Sequence, residues 1–277
     1  MNNIPKITIV TPSFNQGRFL ERTITSVLNQ NYPNLEYLII DGGSEDNSVE
    51  IIKRYEKHLT YWVNEPDRGQ SHAINKGFAR ATGEIFGWLN SDDYYESGSL
   101  MAVVEAFQAN PNAGAVIGAG GMLYEETGEV TVYQPFPVTL ETLCQTLVDR
   151  FIMQPSCFFT RRAWQECGPL DENLHFAMDT DLWFRIAQKF SFAMTLKNLS
   201  TSVVHPDAKT TARAAESYAD GFLVVLKYMG QRIARDQLIA IFEKLLVAKE
   251  REVAAIRSSL SWKVTSPLRA FHRRLKH

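Results

Sequence analysis

Cysteine is scarce in this chain. Only Cys144, Cys157 and Cys167 occur in 277 residues, and no two stand in a Cys-x-x-Cys pair. That excludes a disulfide framework and a cysteine-built zinc or redox site, and the expected state is three reduced thiols in a cytosolic protein. Long apolar runs are missing too. No stretch approaches the roughly 18 consecutive apolar residues of a membrane span. The most apolar uncharged stretch, residues 111–124, is short and interrupted by glycine. The opening residues, 1–6, carry no apolar h-region, so no signal peptide is expected. No Gly-x-Gly-x-x-Gly follows the first apolar run, which speaks against a nicotinamide-dependent dehydrogenase. That loop has only Gly17 and Arg18, too little for the glycine-rich basic loop of a triphosphate-binding pyrophosphorylase.

What remains is ordinary globular material, 45% hydrophobic and 22% charged. A core of this size needs neither disulfide nor structural metal. The net charge is −2, unevenly spread. Residues 231–277 hold 11 Lys+Arg against 4 Asp+Glu, or +7, and residues 1–230 hold 18 against 27, or −9. An acidic body is a poor nucleic-acid binder, so no nucleic-acid partner is expected. The basic tail is the part suited to an anionic membrane surface.

Short β-rich runs at residues 7–10, 35–40, 60–63 and 85–89 alternate with helix-period runs at 19–28, 49–55 and 71–81. This predicts right-handed βαβ units and a mainly parallel sheet over residues 5–110, with Thr11-Pro12 ending the first strand. Further on the pattern is looser. Strands are expected at 115–118, 130–133, 157–159, 192–196 and 201–204, a helix at 179–189, and helix again from Thr210. A soft boundary falls near 206–215.

In an open parallel sheet, ligands bind at the carboxyl ends of the strands. Three polar clusters fall there: Thr11-Pro12-Ser13-Phe14-Asn15, Asp41-Gly42-Gly43-Ser44 and Asn90-Ser91-Asp92-Asp93. An aspartate in such a place often caps a helix or turn, and Asp46, opening Asp46-Asn47-Ser48, is read that way. Asp92 and Asp93 are different. Adjacent carboxylates after an apolar strand repel each other unless a cation sits between them, and oxygen ligands suit Mg2+ or Mn2+ bridging a diphosphate. Trp88, Trp164 and Trp183 are read as core residues before sugar-stacking ones.

Taken in order, these motifs resemble family 2 glycosyltransferases of the GT-A fold. The resemblance covers roughly residues 5–205. It includes Thr11 to Asn15, Ser26 to Gln30, Leu35 to Asp46, Glu65 to Ser71, Asn75-Lys76-Gly77, Gly83 and Asn90 to Asp93. In the second half it includes Gln154-Pro155-Ser156, Gly168 to Asp171 and Met178 to Arg185. It implies an α/β nucleotide-diphospho-sugar transferase domain, with a mainly parallel central sheet flanked by helices. The domain would occupy residues 1–210: a nucleotide-binding half, 1–110, and an acceptor half, 111–210. A helical, basic C-terminal extension, 211–277, would follow.

By the same resemblance, the activity is inverting transfer of a sugar from a nucleotide-diphosphate donor to an acceptor hydroxyl. Thr11, Pro12 and Asn15 would line the nucleotide pocket, and Asp41 would contact the base, usually uracil. Asp67 and Arg68 would lie beside the nucleoside and diphosphate. Asp92 would reach the ribose or the metal, and Asp93 would bind a divalent Mn2+ or Mg2+. His205 is a further metal or diphosphate ligand in some relatives, against the ordinary reading of a lone hydrogen-bonded histidine. Gln154 and Ser156 are candidates to position the acceptor or the diphosphate, a choice the sequence leaves open. Asp179 is the candidate general base. Asp181, roughly 200° further around the same helix, cannot point at the same atom. Two positions depart from the common pattern: Asn90 replaces the first aspartate of Asp-x-Asp-Asp, and Met178 replaces a glutamate before the base.

The implied donor is a UDP-sugar, with GDP- and dTDP-sugars not excluded. The implied acceptor is a glycan or lipid-linked sugar in cell-surface polysaccharide or glycolipid assembly. The rival reading is a non-catalytic nucleotide-sugar-binding or scaffold protein on the same fold. Ile233, Leu238, Ile241, Leu245, Val253 and Ile256 fall at helical spacings that suit a helix pair, so a homo-oligomer is one expectation. The segment from Ser258 to Arg269 resembles a tail motif of bacterial surface-polysaccharide glycosyltransferases. Its Trp262, followed by Phe271, Arg273 and Arg274, suits peripheral association with the inner face of the plasma membrane.

Overall fold

The structure, a computed structural model, describes residues 4–145 and 152–258. Strand β1 (Ile7–Ser13) runs through Pro12 instead of ending before it. Its pairing with the neighbour that becomes β4 ends at Val10, opposite Trp88, so past that point one side of β1 needs no N–H and proline is tolerated. Then follow α1 (Gly17–Leu28), β2 (Leu35–Asp41), α2 (Ser48–Tyr55), β3 (Tyr61–Asn64), α3 (Gln70–Arg80) and β4 (Ile85–Trp88). All four strands pair in parallel, in the order β3-β2-β1-β4, as the alternating pattern predicts.

Beyond β4 come β5 (Tyr94–Tyr95), α4 (Ser99–Ala109), β6 (Ala113–Tyr124), β7 (Val130–Tyr133), α5 (Leu140–Cys144) and β8 (Cys157–Thr160). They are followed by α6 (Arg161–Cys167), α7 (Met178–Ala187), β9 (Ser191–Val204), α8 (Lys209–Ala212) and α9 (Ala214–Ser258). Here the sheet is mixed. β8 lies antiparallel between β4 and β6, β9 runs parallel to β6, and β5 and β7 close the edges in antiparallel pairs. The two late strands expected at 192–196 and 201–204 are one strand, β9. Its polar middle, Lys197 and Asn198, lies where the pairing with β6 slips in register, and the strand continues past the bulge.

Period-two alternation divides the core between the two faces of the sheet. Ile7, Ile9, Tyr37 and Ile39 pack with Leu20, Ile24, Ile51 and Val103 of α1, α2 and α4. Val10, Leu38 and Ile40 pack on the other face with Ile74, Phe78, Leu182 and Trp183 of α3 and α7. Gly77 lets α3 close on the sheet, since a Cβ there would lie 2.5 Å from Val10 Cγ1. The tryptophans behave as core residues, with Trp88 and Trp183 buried and stacked at 5.6 Å. The three cysteines are free and buried.

Helix begins at Lys209, inside the expected boundary. Gly230, at φ 77°, breaks α9 into two pieces. The first piece joins the core through Val224 and Val225, and Tyr228 stacks on Phe184 at 4.9 Å. The second piece carries exposed Phe242 and Leu246. Among the described residues no helix is long and apolar enough to cross a membrane. The tail residues 259–277, with Trp262, Phe271 and the basic cluster, lie outside the described residues.

Candidate active site

The carboxyl ends of β1, β2 and β4 open on one side of the sheet, and two adjoining cavities lie there. The larger is a crevice of about 570 Å³, bordered by Pro12, Gly42, Asp67, Arg68, Asp92 and Lys209. The smaller, about 210 Å³, lies between Asn90, Asp92 and Asp93 on one side and Gln154 and Asp179 on the other. Gln70, Asp92, His175 and Lys209 line both.

Of the residues expected around the nucleotide, Pro12, Asp67, Arg68 and Asp92 face the crevice. Thr11, Asn15 and Asp41 build its walls instead. Thr11 lies within β1, so its buried side chain points into a face of the sheet, where its hydroxyl is 3.1 Å from that of Tyr37. Asn15 sits at φ 51°, a left-handed conformation that asparagine tolerates. Its N–H donates to Ser44 Oγ at 2.8 Å, and its Oδ1 accepts the Glu45 N–H at 2.9 Å, joining the loops after β1 and β2. Asp41 is fully buried. Its carboxylate accepts the N–H of Gly43 and Ser44, the Ser44 hydroxyl and the Asn64 amide. Asp46, read as a cap, accepts the N–H of Gly17 at 2.8 Å and of Ser48 at 2.9 Å, and so ties together the starts of α1 and α2.

Asp67 Oδ1 accepts the Gly69 N–H at 2.7 Å. Its other oxygen lies so near Gly42 that a Cβ there would stand 2.6 Å from it. Arg68 reaches across to the second half of the chain, where its Nε and Nη2 donate to Glu172 Oε2 at 3.0 and 2.7 Å.

The loop bearing Asp92 and Asp93 is held from α1. Thr23 Oγ1 reaches the Ser91 and Asp93 carbonyls at 2.8 and 2.7 Å, and Arg22 reaches the Asp92 carbonyl at 3.2 Å. Asp93 is buried. Its Oδ1 accepts the Val203 N–H and its Oδ2 the Asn90 amide, each at 3.2 Å. Burial, and then the adjacent Asp92 charge, push the Asp93 carboxyl well above the usual range. Asp92 Oδ2 lies 3.3 Å from His205 Nε2. The buried imidazole of His205 packs 4.5 Å from the Phe19 ring, and its Nδ1 has no hydrogen-bond partner.

Asn90 shows why an amide serves at this position. It donates to Asp93 and to Gln154 Oε1, and accepts from Gln70 Nε2 at 2.7 Å. An aspartate could only accept, and would add a third negative charge. Gln154 in turn donates to the Trp88 carbonyl at 3.0 Å. Ser156 does not reach the site. It is fully buried and bonds the Ala119 carbonyl of β6 and the Ser200 hydroxyl of β9.

These residues suit a divalent cation. Two carboxylates crowd together at low hydration, with an imidazole beside them, and such donors fit Mn2+ or Mg2+. Among the described residues no three His, Cys, Asp or Glu side chains gather around one point. A Mg2+-type site needs only one or two carboxylates, with substrate phosphates completing it. Asp92 and Asp93 are the residues that would hold the ion.

Asp179, in the first turn of α7, faces the Asp92–Asp93 loop across the smaller cavity. Burial raises its carboxyl above the ordinary value, against the opposing hydrogen bonds from Thr180. Asp181 turns away, as helical spacing requires. It is buried against Arg185, Lys227 and Tyr228 at 2.8–2.9 Å. Sequence reading gave no role to Gln70, although it lies in the Glu65 to Ser71 motif, nor to His175 and Lys209; the Lys209 ammonium joins the three, on Gln70 Oε1 and the His175 carbonyl. For Lys209 the nearby His205-Pro206-Asp207 was the one local signal.

Comparison with known proteins agrees with this architecture. The family model described as glycosyl transferase family 2 matches residues 8–168. An uncharacterized glycosyltransferase of Rickettsia typhi is 26% identical over 220 residues, 76% of this chain and 67% of that protein. Among solved structures, S. aureus TarS (residues 1–349) in complex with UDP aligns with a TM-score of 0.61 and 16% identity, over 87% of this chain and 70% of that one. The mannosyltransferase PcManGT of Pyrobaculum calidifontis, in complex with GDP-Man and Mn2+, aligns with a TM-score of 0.64 and 18% identity, over 98% and 85%. At these identities the likeness is one of fold, the GT-A fold.

Proposed function

The chain belongs to glycosyl transferase family 2, and on that premise we propose that it transfers a sugar from a nucleoside diphosphate to an acceptor hydroxyl with inversion at the anomeric carbon. One observation carries the reading: Asp179 faces the Asp92–Asp93 pair across a single cavity that opens into a nucleotide-sized crevice.

In this reading the nucleotide lies along Pro12, Asp67 and Arg68, over the wall that Thr11, Asn15 and Asp41 build. Asp92 and Asp93 would hold Mn2+ or Mg2+ beside its diphosphate, with His205 fixing Asp92. When bound, such a cation neutralises charge on the departing diphosphate. Asp179 takes the proton of the acceptor hydroxyl as its oxygen attacks the anomeric carbon. The bond to the diphosphate breaks on the opposite face, and its electron pair leaves with the nucleoside diphosphate. A half-buried carboxyl with a raised pKa is a better proton acceptor than a free one once ionised, which supports the assignment.

The donor we favour is a UDP-sugar. TarS in complex with UDP is consistent with that choice, and PcManGT in complex with GDP-Man keeps guanosine in the test. We place the acceptor among glycans or lipid-linked sugars of the cell surface. Residues 1–210 would form the transferase domain and 211–277 an extension, whose basic tail brings the enzyme to the inner face of an anionic membrane.

Calorimetric titration of UDP, GDP and dTDP, with and without Mn2+, on the wild type and Asp93→Ala tests the site. Binding of one diphosphate with a metal dependence that Asp93→Ala removes is the expected result. No binding of any of the three overturns the reading and leaves the fold as a binding module.

A further inference from the structure

The two cavities meet at Lys209. This residue opens α8, four positions after His205, and its side chain borders both the nucleotide crevice and the cavity of Asp92, Asp93 and Asp179. Its ammonium donates to Gln70 Oε1 at 3.3 Å and to the His175 carbonyl, and it lies 5.0 Å from the Phe176 ring centroid. Every one of these partners is neutral. Lys209 forms no ion pair among the described residues; burial and then the Arg213 charge lower its pKa, and the Asp220 and Asp179 carboxylates oppose that only at longer range. The other cation on the crevice wall, Arg68, is already matched by Glu172. An ammonium without a counter-ion therefore stands where three carboxylates make the surroundings acidic.

We propose that Lys209 binds the diphosphate of the donor and stabilises the nucleoside diphosphate as it leaves. The proposal rests on the donor-site reading above and names a residue of that same site. An ammonium has three protons, and here two are committed to neutral oxygens, so one is free for a phosphate oxygen without breaking an existing bond. A diphosphate running from the crevice toward Asp92 and Asp93 passes the point where Lys209 stands. Lys209 keeps its proton throughout and only donates a hydrogen bond. That bond strengthens as negative charge collects on the leaving oxygen, so it favours the transition state over the bound donor.

Calorimetry with UDP, GDP, dTDP and uridine in the presence of Mn2+ tests this on the wild type, Lys209→Gln and Lys209→Arg, each checked for an unchanged melting temperature. Lys209→Gln should weaken the bound diphosphate by about tenfold or more, the usual loss of a charge-assisted hydrogen bond. It should leave uridine within about twofold, and Lys209→Arg should restore most of the diphosphate affinity. Equal loss for uridine and diphosphate overturns the proposal and makes Lys209 a support for the His175 loop. So does unchanged diphosphate binding in Lys209→Gln. A wild type that binds none of the diphosphates overturns the donor-site reading itself, a result distinct from either.

Discussion

Asp181 accepts a hydrogen bond from Tyr228 at 2.9 Å, two positions after Asp179 on the same helix. Lys227 and Arg185 complete the cluster around the buried carboxylate. Earlier in α9, Asp220 accepts the N–H groups of His175 and Phe176, both at 3.1 Å, in the loop that leads into α7. The first piece of α9 thus grips the element that presents Asp179 from both sides. Removing the buried partner should be costly, because it leaves two cations facing each other. Asp181→Ala is expected to lose about 3 kcal/mol in urea unfolding, and Tyr228→Phe, which keeps its ring stack on Phe184, about 1 kcal/mol. Wild-type stability in Asp181→Ala would show that the cluster contributes nothing.

Asp179→Asn keeps the shape of the side chain and removes the proton acceptor. Turnover, followed as nucleoside diphosphate release, should fall by about a hundredfold or more, while donor affinity stays within about twofold. A loss confined to donor affinity would argue against Asp179 as the base.

The raised carboxyl of Asp179 has a pH signature. Its ionised form is the base, so the acid limb of kcat/KM should lie above the ordinary carboxylate range. The stability effect has the opposite sense. A carboxyl whose folded pKa is raised supports folding below its unfolded value and loses that support as pH rises through the folded value. Asp179→Asn should therefore be more stable than the wild type at about pH 8, with the gain shrinking toward acid. Unfolding curves at the two ends of that range decide the point.

A side chain at position 42 would compete with the Asp67 carboxylate for one space. A Cβ at position 42 would meet Asp67 Oδ2 at 2.6 Å, and the carboxylate is the part that can move. Gly42→Ala should change stability by less than about 1 kcal/mol. It should weaken nucleoside diphosphate binding by about fivefold, as Asp67 is pushed from the crevice wall. Unchanged binding would remove Asp67 from the donor site.

Removal of divalent cations by a chelator should weaken nucleoside diphosphate binding in the wild type, and added Mn2+ should restore it. Asp93→Ala should respond to neither treatment.

The parallel half of the fold was open to sequence reading because its signals are local. Apolar runs of strand length, helix-period runs and Asn-Tyr-Pro-Asn or Asp-Gly-Gly-Ser breaks each act within a few residues. Past residue 110 the same reasoning split β9 in two, because Lys197 and Asn198 look like a turn. Only pairing with β6 carries the strand through them. The motif residues were found in the right region, but their tasks divided on contact. Thr11 spends its hydroxyl on Tyr37 of the neighbouring strand and Asn15 and Asp41 spend their polar groups on the loop after β2, while Pro12, Asp67 and Arg68 line the crevice.

By itself the sequence determined the βαβ succession and the strand ends where Asp41 and the Asp92–Asp93 pair stand, since backbone periodicity and turn chemistry are properties of short segments. It also determined that Asp179 and Asp181 diverge, because 3.6 residues per turn leaves no choice. Tertiary structure decided which carboxylate faces the cavity, which cation keeps a free charge, and that α9 braces the helix of Asp179. Those outcomes depend on partners such as Arg68 and Glu172, 104 positions apart, or Lys209 and Gln70, 139 apart. Contacts of that span form only when the chain has closed on itself, and no local pattern encodes which of them will be made.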